Sequence, residues 1–371
     1  MLKRTLKNMY YLGVKELISL SRDYLLLILI LYSFSAAVVV ASRGKPDSLK
    51  SAAIAVVDED HSQLSLKISD AFFPPMFIPA REIARNEIDR KMDIGTYTFI
   101  LVIPVNFERD LLAGRDPEIQ LNVDATRMSQ AFTGAGYIQQ IITNEVNNYL
   151  QMKESDSLAR MVIRNRFNPN LTQGWFDAAV QLVNNITMLA IILTGAALIK
   201  ERESGTLEHL LVMPVNSFEI ITSKIWSMIV VVLSAATLSL IFVVHIFLSV
   251  PIEGVILLFV AGMALHLFAA TSLGIFLACI ARNMPQLGML LILILLPLQM
   301  LSGGMTPMES MPQWIRYVMQ IAPTTHFVEF SQAILFRGAG FSVVWLPFLK
   351  LILIGAVLFL ISLQRFRKSV A

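Results

Sequence analysis

Residues 24–41 read YLLLILILYSFSAAVVVA, an apolar run about as long as a helix needs to cross a bilayer. A polar region follows it, and behind that come five further apolar stretches, at residues 178–199, 225–250, 255–280, 287–301 and 343–363. With 55% hydrophobic and only 15% charged residues, the chain is too apolar for an ordinary soluble protein of 371 residues. The sequence therefore predicts an α-helical polytopic membrane protein with six transmembrane helices.

The first run has a second reading, because basic residues before it and small residues at its end are also typical of a cleaved signal peptide. Both the run and the segment before it are long for a signal peptide, so we expect an uncleaved first span at residues 24–42. Residues 1–23 are then a cytoplasmic N-terminal segment, and residues 178–371 form a transmembrane domain with helices 2 to 6.

Charge is concentrated between the first two spans. Residues 43–177 hold half of the Lys and Arg residues and more than half of the Asp and Glu residues, so this region must face water. Within it, two buried-type runs at 53–57 and 97–103 and an alternating run at 119–123 indicate strands, with helical patterns at 81–92 and 129–163. We expect an inserted extracytoplasmic α/β domain, in which Asp58 to Asp60 form a solvated strand end rather than a metal site.

Basic residues near the spans set the orientation, because Lys and Arg accumulate on the cytoplasmic side. They cluster in residues 1–23, between the second and third spans and at the C-terminus, whereas the opposite short loops hold only Arg316 and Arg337. Both termini are therefore expected in the cytoplasm. The small net charge of +3, with scattered basic residues, excludes a footprint for nucleic acid.

The loop at residues 200–224, KERESGTLEHLLVMPVNSFEIITSK, is the most informative polar stretch. It reads as a short charged helix, a break at Gly205, an amphipathic turn and a return to the membrane after Pro214. An interfacial helix lying on lipid is one reading. The excess of acidic residues suits anionic lipid poorly, so a protein partner is the better expectation.

This loop resembles the signature of permease subunits of type-2 ATP-binding-cassette exporters. The matching residues are Glu201, Arg202, Glu203, Gly205, Thr206, Leu207, Glu208, Leu210, Leu211 and Pro214. The stretch from Leu101 to Phe107, the Ser302-Gly303-Gly304 turn and the basic end at 365–368 extend the likeness over the whole chain. The chain is similar to bacterial inner-membrane drug-efflux permeases with a large periplasmic insert between spans one and two.

The resemblance implies a half-transporter in the bacterial inner membrane. Two permeases would pair, as a homodimer or with a sister permease, and export an amphiphilic or drug-like molecule, lipids included. The sequence contains no Gly-x-x-x-x-Gly-Lys-Ser/Thr loop, so a separate ATPase would bind ATP and Mg, with no cofactor, metal or catalytic residue on this chain. That ATPase would dock on the ATPase-coupling residues Glu201, Arg202, Glu203, Gly205, Thr206, Glu208, Leu210, Leu211 and Pro214. A periplasmic membrane-fusion adaptor and membrane lipid are further expected partners.

Polar residues inside the spans point to a candidate translocation path. Gln181, Asn184 and Asn185 share one face of the second span, and Gln299 lies near the end of the fifth. They face either another helix, through hydrogen bonds across the permease pair, or the substrate. Residues 303–342 are expected to form amphipathic helices at the outer interface.

Two other classes of function compete with export. A membrane-anchored sensor or assembly scaffold could use the extracytoplasmic domain to bind a ligand or partner, but it would need a cytoplasmic output domain. An ion-driven transporter should carry intramembrane carboxylates and internal repeats, and neither is visible. The loop at 200–224 therefore favours the exporter.

Overall fold

The computed structural model describes residues 2–44, 52–124, 128–150, 173–206 and 213–370. It divides into two compact units, one made of residues 1–45 together with 165–371 and the other of residues 46–164. The first unit is a helical bundle and the second an α/β domain.

The chain begins with a helix that sequence analysis treated as a plain segment: α1 covers Leu2–Ser21. The first apolar run then forms two helices, α2 at Tyr24–Phe34 and α3 at Ala36–Arg43, rather than one. Ser35 separates them with a non-helical backbone (φ −128°, ψ −85°). The predicted span at 24–42 is therefore present but interrupted in its middle.

The second unit holds a four-stranded sheet in the order β2-β1-β3-β4. The strands are β1 Ile54–Asp58, β2 Arg81–Glu82, β3 Phe99–Ile103 and β4 Gln120–Val123. Strand β1 runs parallel to β2 and β3, pairing Ala55 with Ile100, while β4 is antiparallel to β3.

Helices cover the two faces of this sheet. They are α4 Gln63–Asp70, α5 Ile88–Asp93, α6 Phe107–Leu112 and α7 Met128–Tyr149. Ile54 and Val56 point into one hydrophobic core with α4 and α7, whereas Ala55 and Val57 pack against Ile88 on the other face. Burial on both faces explains why the central strands are continuous apolar runs.

The expected α/β architecture is thus present in residues 52–149. The sequence prediction was wrong at one place within it. The helix predicted at 81–92 is only α5, since Arg81 and Glu82 form an edge strand paired with β1. The predicted helix at 129–163 is α7 as far as Tyr149, and its remainder from 151 lies outside the described residues.

The acidic residues after β1 make structural contacts. The Asp58 carboxylate accepts hydrogen bonds from the Ser65 hydroxyl and the His61 backbone, and Glu59 forms a bidentate ion pair with Arg85 at 2.9 Å. Among the residues that the structure describes, no group of three or more side chains could hold a metal ion.

The bundle continues with seven helices in the described ranges. They are α8 Gln173–Glu203, α9 Ser217–Leu238, α10 Ile256–Ile280, α11 Met284–Met300, α12 Gln313–Met319, α13 Pro323–Leu335 and α14 Phe341–Val370. A π-helical turn at Ser239–Phe247 extends α9. The interhelical loop predicted at 200–224 is shorter than expected, because α8 continues through Glu203 and α9 begins at Ser217.

Five helical segments of the described chain are long and apolar enough to cross a membrane. They lie at 24–43, 174–203, 217–247, 256–280 and 341–368. The remaining predicted span, the fifth in chain order, corresponds to α11. This apolar helix has 17 residues and contains Pro297, and its length is at the short end of what spans a bilayer. By length and apolar composition, five segments of the described chain qualify as spans. That α11 is also a span stays a prediction.

Helix α13 differs from the expected surface helix in the 303–342 region. Thr325, Phe327 and Phe330 are buried, as are all other residues of this helix except Glu329 and Gln332. Its aromatic rings stack with Phe259 of α10, which buries the helix inside the bundle. By contrast, Trp314 on α12 is largely exposed, as an interfacial residue would be.

Helices α8 and α10 approach each other closely through glycine. A Cβ atom at Gly274 would lie 2.6 Å from the carbonyl oxygen of Ile191, and one at Gly195 would lie 3.3 Å from the carbonyl oxygen of Gly274. Small residues at such contacts let two helix backbones meet, which is the usual device of membrane helix pairs.

Gly274→Ala should therefore weaken the bundle by about 1–3 kcal/mol, because the added methyl group forces α8 and α10 apart. The measurement is thermal unfolding of the purified protein in detergent. Gly288→Ala is the matched control, since a Cβ there in α11 meets nothing within 4 Å. Equal unfolding temperatures for the two variants would contradict a packing role for Gly274.

Candidate functional site

Helix α1 lies along the first half of α9 and brings the N-terminal segment to the motif loop. The Trp226 indole N–H donates to the Met9 carbonyl at 3.1 Å, and the Trp226 ring stacks on Tyr10. Gly13 leaves room for this ring, because a Cβ there would lie 2.1 Å from it. The Asn8 amide donates to Glu219 at 3.2 Å, so these contacts extend over nearly two turns of α1.

Four charged side chains meet where α1, α8 and α9 converge, and we call them the charged junction: Lys15, Glu16, Glu201 and Lys224. The Lys224 Nζ lies 3.0 Å from a carboxylate oxygen of Glu16 and 2.6 Å from one of Glu201. Lys15 Nζ forms an ion pair with the other Glu201 oxygen and lies 3.4 Å from Glu16. Two cations and two anions thus form one neutral, bonded group.

Burial makes this neutrality necessary. The Lys224 side chain is 1% exposed, and those of Glu16 and Glu201 are 8% and 10% exposed. Burial is the main reason that the pKa of Glu16 is raised, with Lys224 opposing it. Burial acts to lower the pKa of Lys15. The hydrogen bond to Glu201 and the negative charge of Glu201 together outweigh this effect, so the pKa of Lys15 is raised. Buried charges remain ionised only when paired in this way.

The next two motif residues bind a different pair of helices. The Arg202 guanidinium donates to the carbonyl oxygens of Ala278 and Ala281 at 3.2 and 2.8 Å, at the end of α10. A Glu203 carboxylate oxygen accepts from the Met284 backbone N–H at 2.8 Å, at the start of α11. These contacts satisfy groups that helix ends leave free. The end of α8 is therefore tied to the α10–α11 connection.

Gly205 ends α8 with a positive φ of 69°, a conformation that favours glycine. The Thr206 hydroxyl turns back to donate to the Glu201 carbonyl at 3.2 Å. Of the remaining predicted coupling residues, Glu208, Leu210 and Leu211 lie outside the described residues. The Pro214 carbonyl accepts from Arg4 of α1 at 3.3 Å, so the far side of the loop also contacts α1.

A cavity of about 780 Å³ adjoins the charged junction between α1, α2 and α8. Lys15, Glu16, Lys200 and Glu201 form its charged rim, while its walls are apolar: Leu12, Leu20, Leu25, Leu26, Leu193, Ala196, Ala197, Met213, Met228 and Met284. Its size falls in the range of small-molecule sites.

The predicted path residues do not form one group. Gln181 donates to Asn185 at 2.9 Å, and Asn185 donates to the Ser33 carbonyl of α2, while Asn184 is also buried on α8. The hydrogen bond is interhelical, as one reading expected, but it lies within this chain. Gln299 lies at the end of α11 and is only partly buried.

The break at Ser35 explains the partner of Asn185. Interrupting a helix frees backbone carbonyls that must be bonded in a membrane. Asn185 binds the Ser33 carbonyl and the Ser239 hydroxyl binds the Phe34 carbonyl. These polar side chains therefore serve the bend of the first span.

Sequence reasoning missed α1 and its role at the site. Lys15 was read only as a topology signal, and Glu16 was not singled out at all. The available signal was Lys224, a lone cation at the start of an apolar helix, which requires a carboxylate partner when buried.

Comparison with known proteins now identifies the class. A model of the family described as "ABC-2 family transporter protein" matches residues 24–363. The chain belongs to this family, which confirms the resemblance seen in the motif loop. Membership makes it a multi-pass membrane permease, and implies an ABC ATPase partner and a dimeric arrangement.

Three of its relatives are bacterial permeases that it matches over most of their length. The inner membrane transport permease YhhJ of Escherichia coli strain K12 is 56% identical over 369 residues, covering 99% of both chains. The probable multidrug ABC transporter permeases YbhR and YbhS of the same organism are each 26% identical. They match 92% and 83% of this chain and 90% and 81% of their own lengths.

Lys224→Met should destabilise the bundle by about 3–5 kcal/mol, because it leaves the Glu16 and Glu201 carboxylates buried without their shared cation. The measurement is thermal unfolding in detergent. Lys200→Met is the control: Lys200 is 61% exposed in its ion pair with Asp23, so its loss should cost about 0–1 kcal/mol. Similar losses for both variants would show that the junction contributes no more than a surface ion pair.

Proposed function

We propose that this permease exports an amphiphilic or drug-like molecule, lipids included, across the bacterial inner membrane, driven by an ATPase that docks on the 200–224 loop. The observation that carries the proposal is the coincidence of the family match with the motif loop, whose described residues bind four other helices. The names of the relatives, transport permease and multidrug permease, agree with export.

The contacts of the loop suggest how force would reach the spans. A push on residues 205–216 would move α8 and α9 directly, since the loop connects them. The charged junction would carry the movement to α1, and Arg202 with Glu203 would carry it to the α10–α11 connection. Discrete ion pairs and helix-end bonds transmit displacement as rigid-body motion. In this proposal, Glu201, Arg202 and Glu203 transmit force rather than contact the ATPase.

The rest of the motif is better placed for docking. Gly205 and Thr206 lie where α8 stops, and Glu208, Leu210, Leu211 and Pro214 follow in the same loop. We assign the docking surface to these positions. The cavity beside the junction would admit an amphiphile from the cytoplasmic leaflet.

The proposal includes a full topology. With α11 as a sixth span, both termini and the motif loop lie in the cytoplasm, and the α/β domain lies outside. Two such chains, or one chain and a sister permease, would form the pathway. The outer domain would receive a periplasmic adaptor.

Gly205→Ala tests the coupling role. A candidate ABC ATPase is co-purified with the permease, and substrate-stimulated ATP hydrolysis is measured in lipid nanodiscs. An alanine at φ 69° strains the turn, so the stimulated rate should fall about five-fold or more while the complex stays assembled.

Gly114→Ala is the matched control. Gly114 also has a positive φ, of 71°, and a Cβ at either glycine meets nothing within 4 Å. Its complex should hydrolyse ATP like the wild type. If both variants behave alike, the loop does not couple. If no ATPase binds the wild-type permease, the export function itself is wrong and the α/β domain should be tested as a receptor.

A further inference from the structure

A second cavity, of about 910 Å³, opens at the other end of α8 from the charged junction. Phe176 near the start of α8 lines it, as do the Gly303 turn, α12, α13 and the third turn of α14. Helix α8 has 31 residues, which at 1.5 Å per residue separates its two ends by about 46 Å. None of the predicted path residues lines this cavity.

Three cations line the cavity against one carboxylate: Arg316, Arg337 and Lys350 against Glu329. None of the three lies within ion-pair distance of a carboxylate among the side chains that the structure describes. Lys350 donates only to the Gln320 amide oxygen, at 3.3 Å. Among the described side chains that line this cavity, positive charges therefore outnumber negative ones, unlike at the charged junction.

Two further observations point to a ligand. Thr325 lines the cavity and is only 4% exposed, yet its hydroxyl has no hydrogen-bond partner among the described residues. Buried hydroxyls are normally satisfied, so this one is free to bind a guest. The pKa of Glu329 is lowered, mainly by the neighbouring His326 ring, whose Nδ1 lies 3.6 Å from the carboxylate, and also by Lys350 and Arg337, which agrees with a positive local potential.

Part of the cavity wall is apolar. Phe176, Met305, Met308 and Val328 supply hydrophobic surface beside the charged side chains. Cationic side chains next to an apolar patch match a molecule with an anionic head and a hydrocarbon tail.

We propose that this cavity binds an anionic amphiphile, with its phosphate or carboxylate head on Arg316, Arg337 and Lys350 and its tail against Phe176, Met305 and Met308. The Thr325 hydroxyl donates to the head group. Arginine and lysine are the side chains that form the strongest bonds with such anions. Only the further step of treating the bound molecule as cargo rests on the proposed export function.

Binding is tested on the purified full-length permease in a neutral maltoside detergent, without any ATPase, by native mass spectrometry. The probes are phosphatidylglycerol, dodecyl phosphate, dodecyltrimethylammonium and inorganic phosphate. We expect the two anionic amphiphiles to bind, and the ratio of their affinities tells a membrane lipid from a soluble amphiphile. Equal binding of the cationic amphiphile overturns the proposal, and so does binding of inorganic phosphate as tightly as dodecyl phosphate.

Variants locate the site. Arg337→Gln with Lys350→Gln should weaken binding of dodecyl phosphate at least about ten-fold, since two charge-assisted contacts are lost. Lys350→Arg alone keeps the positive charge and should bind dodecyl phosphate like the wild type. Thr325→Val should weaken binding of dodecyl phosphate with the fold unchanged. Arg282→Gln, near the charged junction, is the control and should bind like the wild type. Undiminished binding by the folded double variant would refute the site, whatever the ATPase assay shows.

Discussion

The bundle depends on the burial of one lysine. Lys224 sits at the start of an apolar helix with its amine excluded from water, and such a charge is tolerated only when carboxylates surround it. Those carboxylates come from two other helices, Glu16 of α1 and Glu201 of α8. A fold that buries Lys224 must therefore hold α1, α8 and α9 together at one end, which is also where the motif loop leaves the bundle.

The two ends of the bundle treat charge in opposite ways. At the junction, positive and negative side chains are matched within the chain, and the neighbouring Arg202 and Glu203 complete the ends of α10 and α11. At the other end, Arg316, Arg337 and Lys350 have no matched carboxylates among the described residues. Matched charges hold a structure in place, whereas unmatched charges are available to a partner or ligand. This contrast is the basis of our two proposals, a mechanical role for one end and a recognition role for the other.

Sequence patterns predicted the helices and strands whose residues are almost all apolar. The apolar runs became the long helices, and AIAVV at 53–57 became a central strand because both of its faces are covered. Arg81 and Glu82 could not be recognised as a strand, since they are exposed and held only by backbone pairing with β1. The helix break at Ser35 could not be predicted either, because a serine inside an apolar run does not by itself break a helix.

The candidate site was predicted in position but not in its contacts. The motif marked residues 201–214 as functional, yet a charged residue in a sequence does not show whether it faces a partner or its own chain. Glu201 faces its own chain, and its partners Lys15 and Lys224 are distant in sequence. The basic residues of α1 were used only to predict the membrane orientation, so the amphipathic pattern of this helix was overlooked.

The glycine contact between α8 and α10 has a mechanical consequence. Two helices whose backbones touch at Gly274 and Ile191 cannot slide independently, so they behave as one stiff beam. For a beam of about 46 Å, a tilt of about 5° at one end displaces the other by about 4 Å. That lever arm is long enough to convert a small rotation at the motif loop into the width of a methylene chain at the distant cavity.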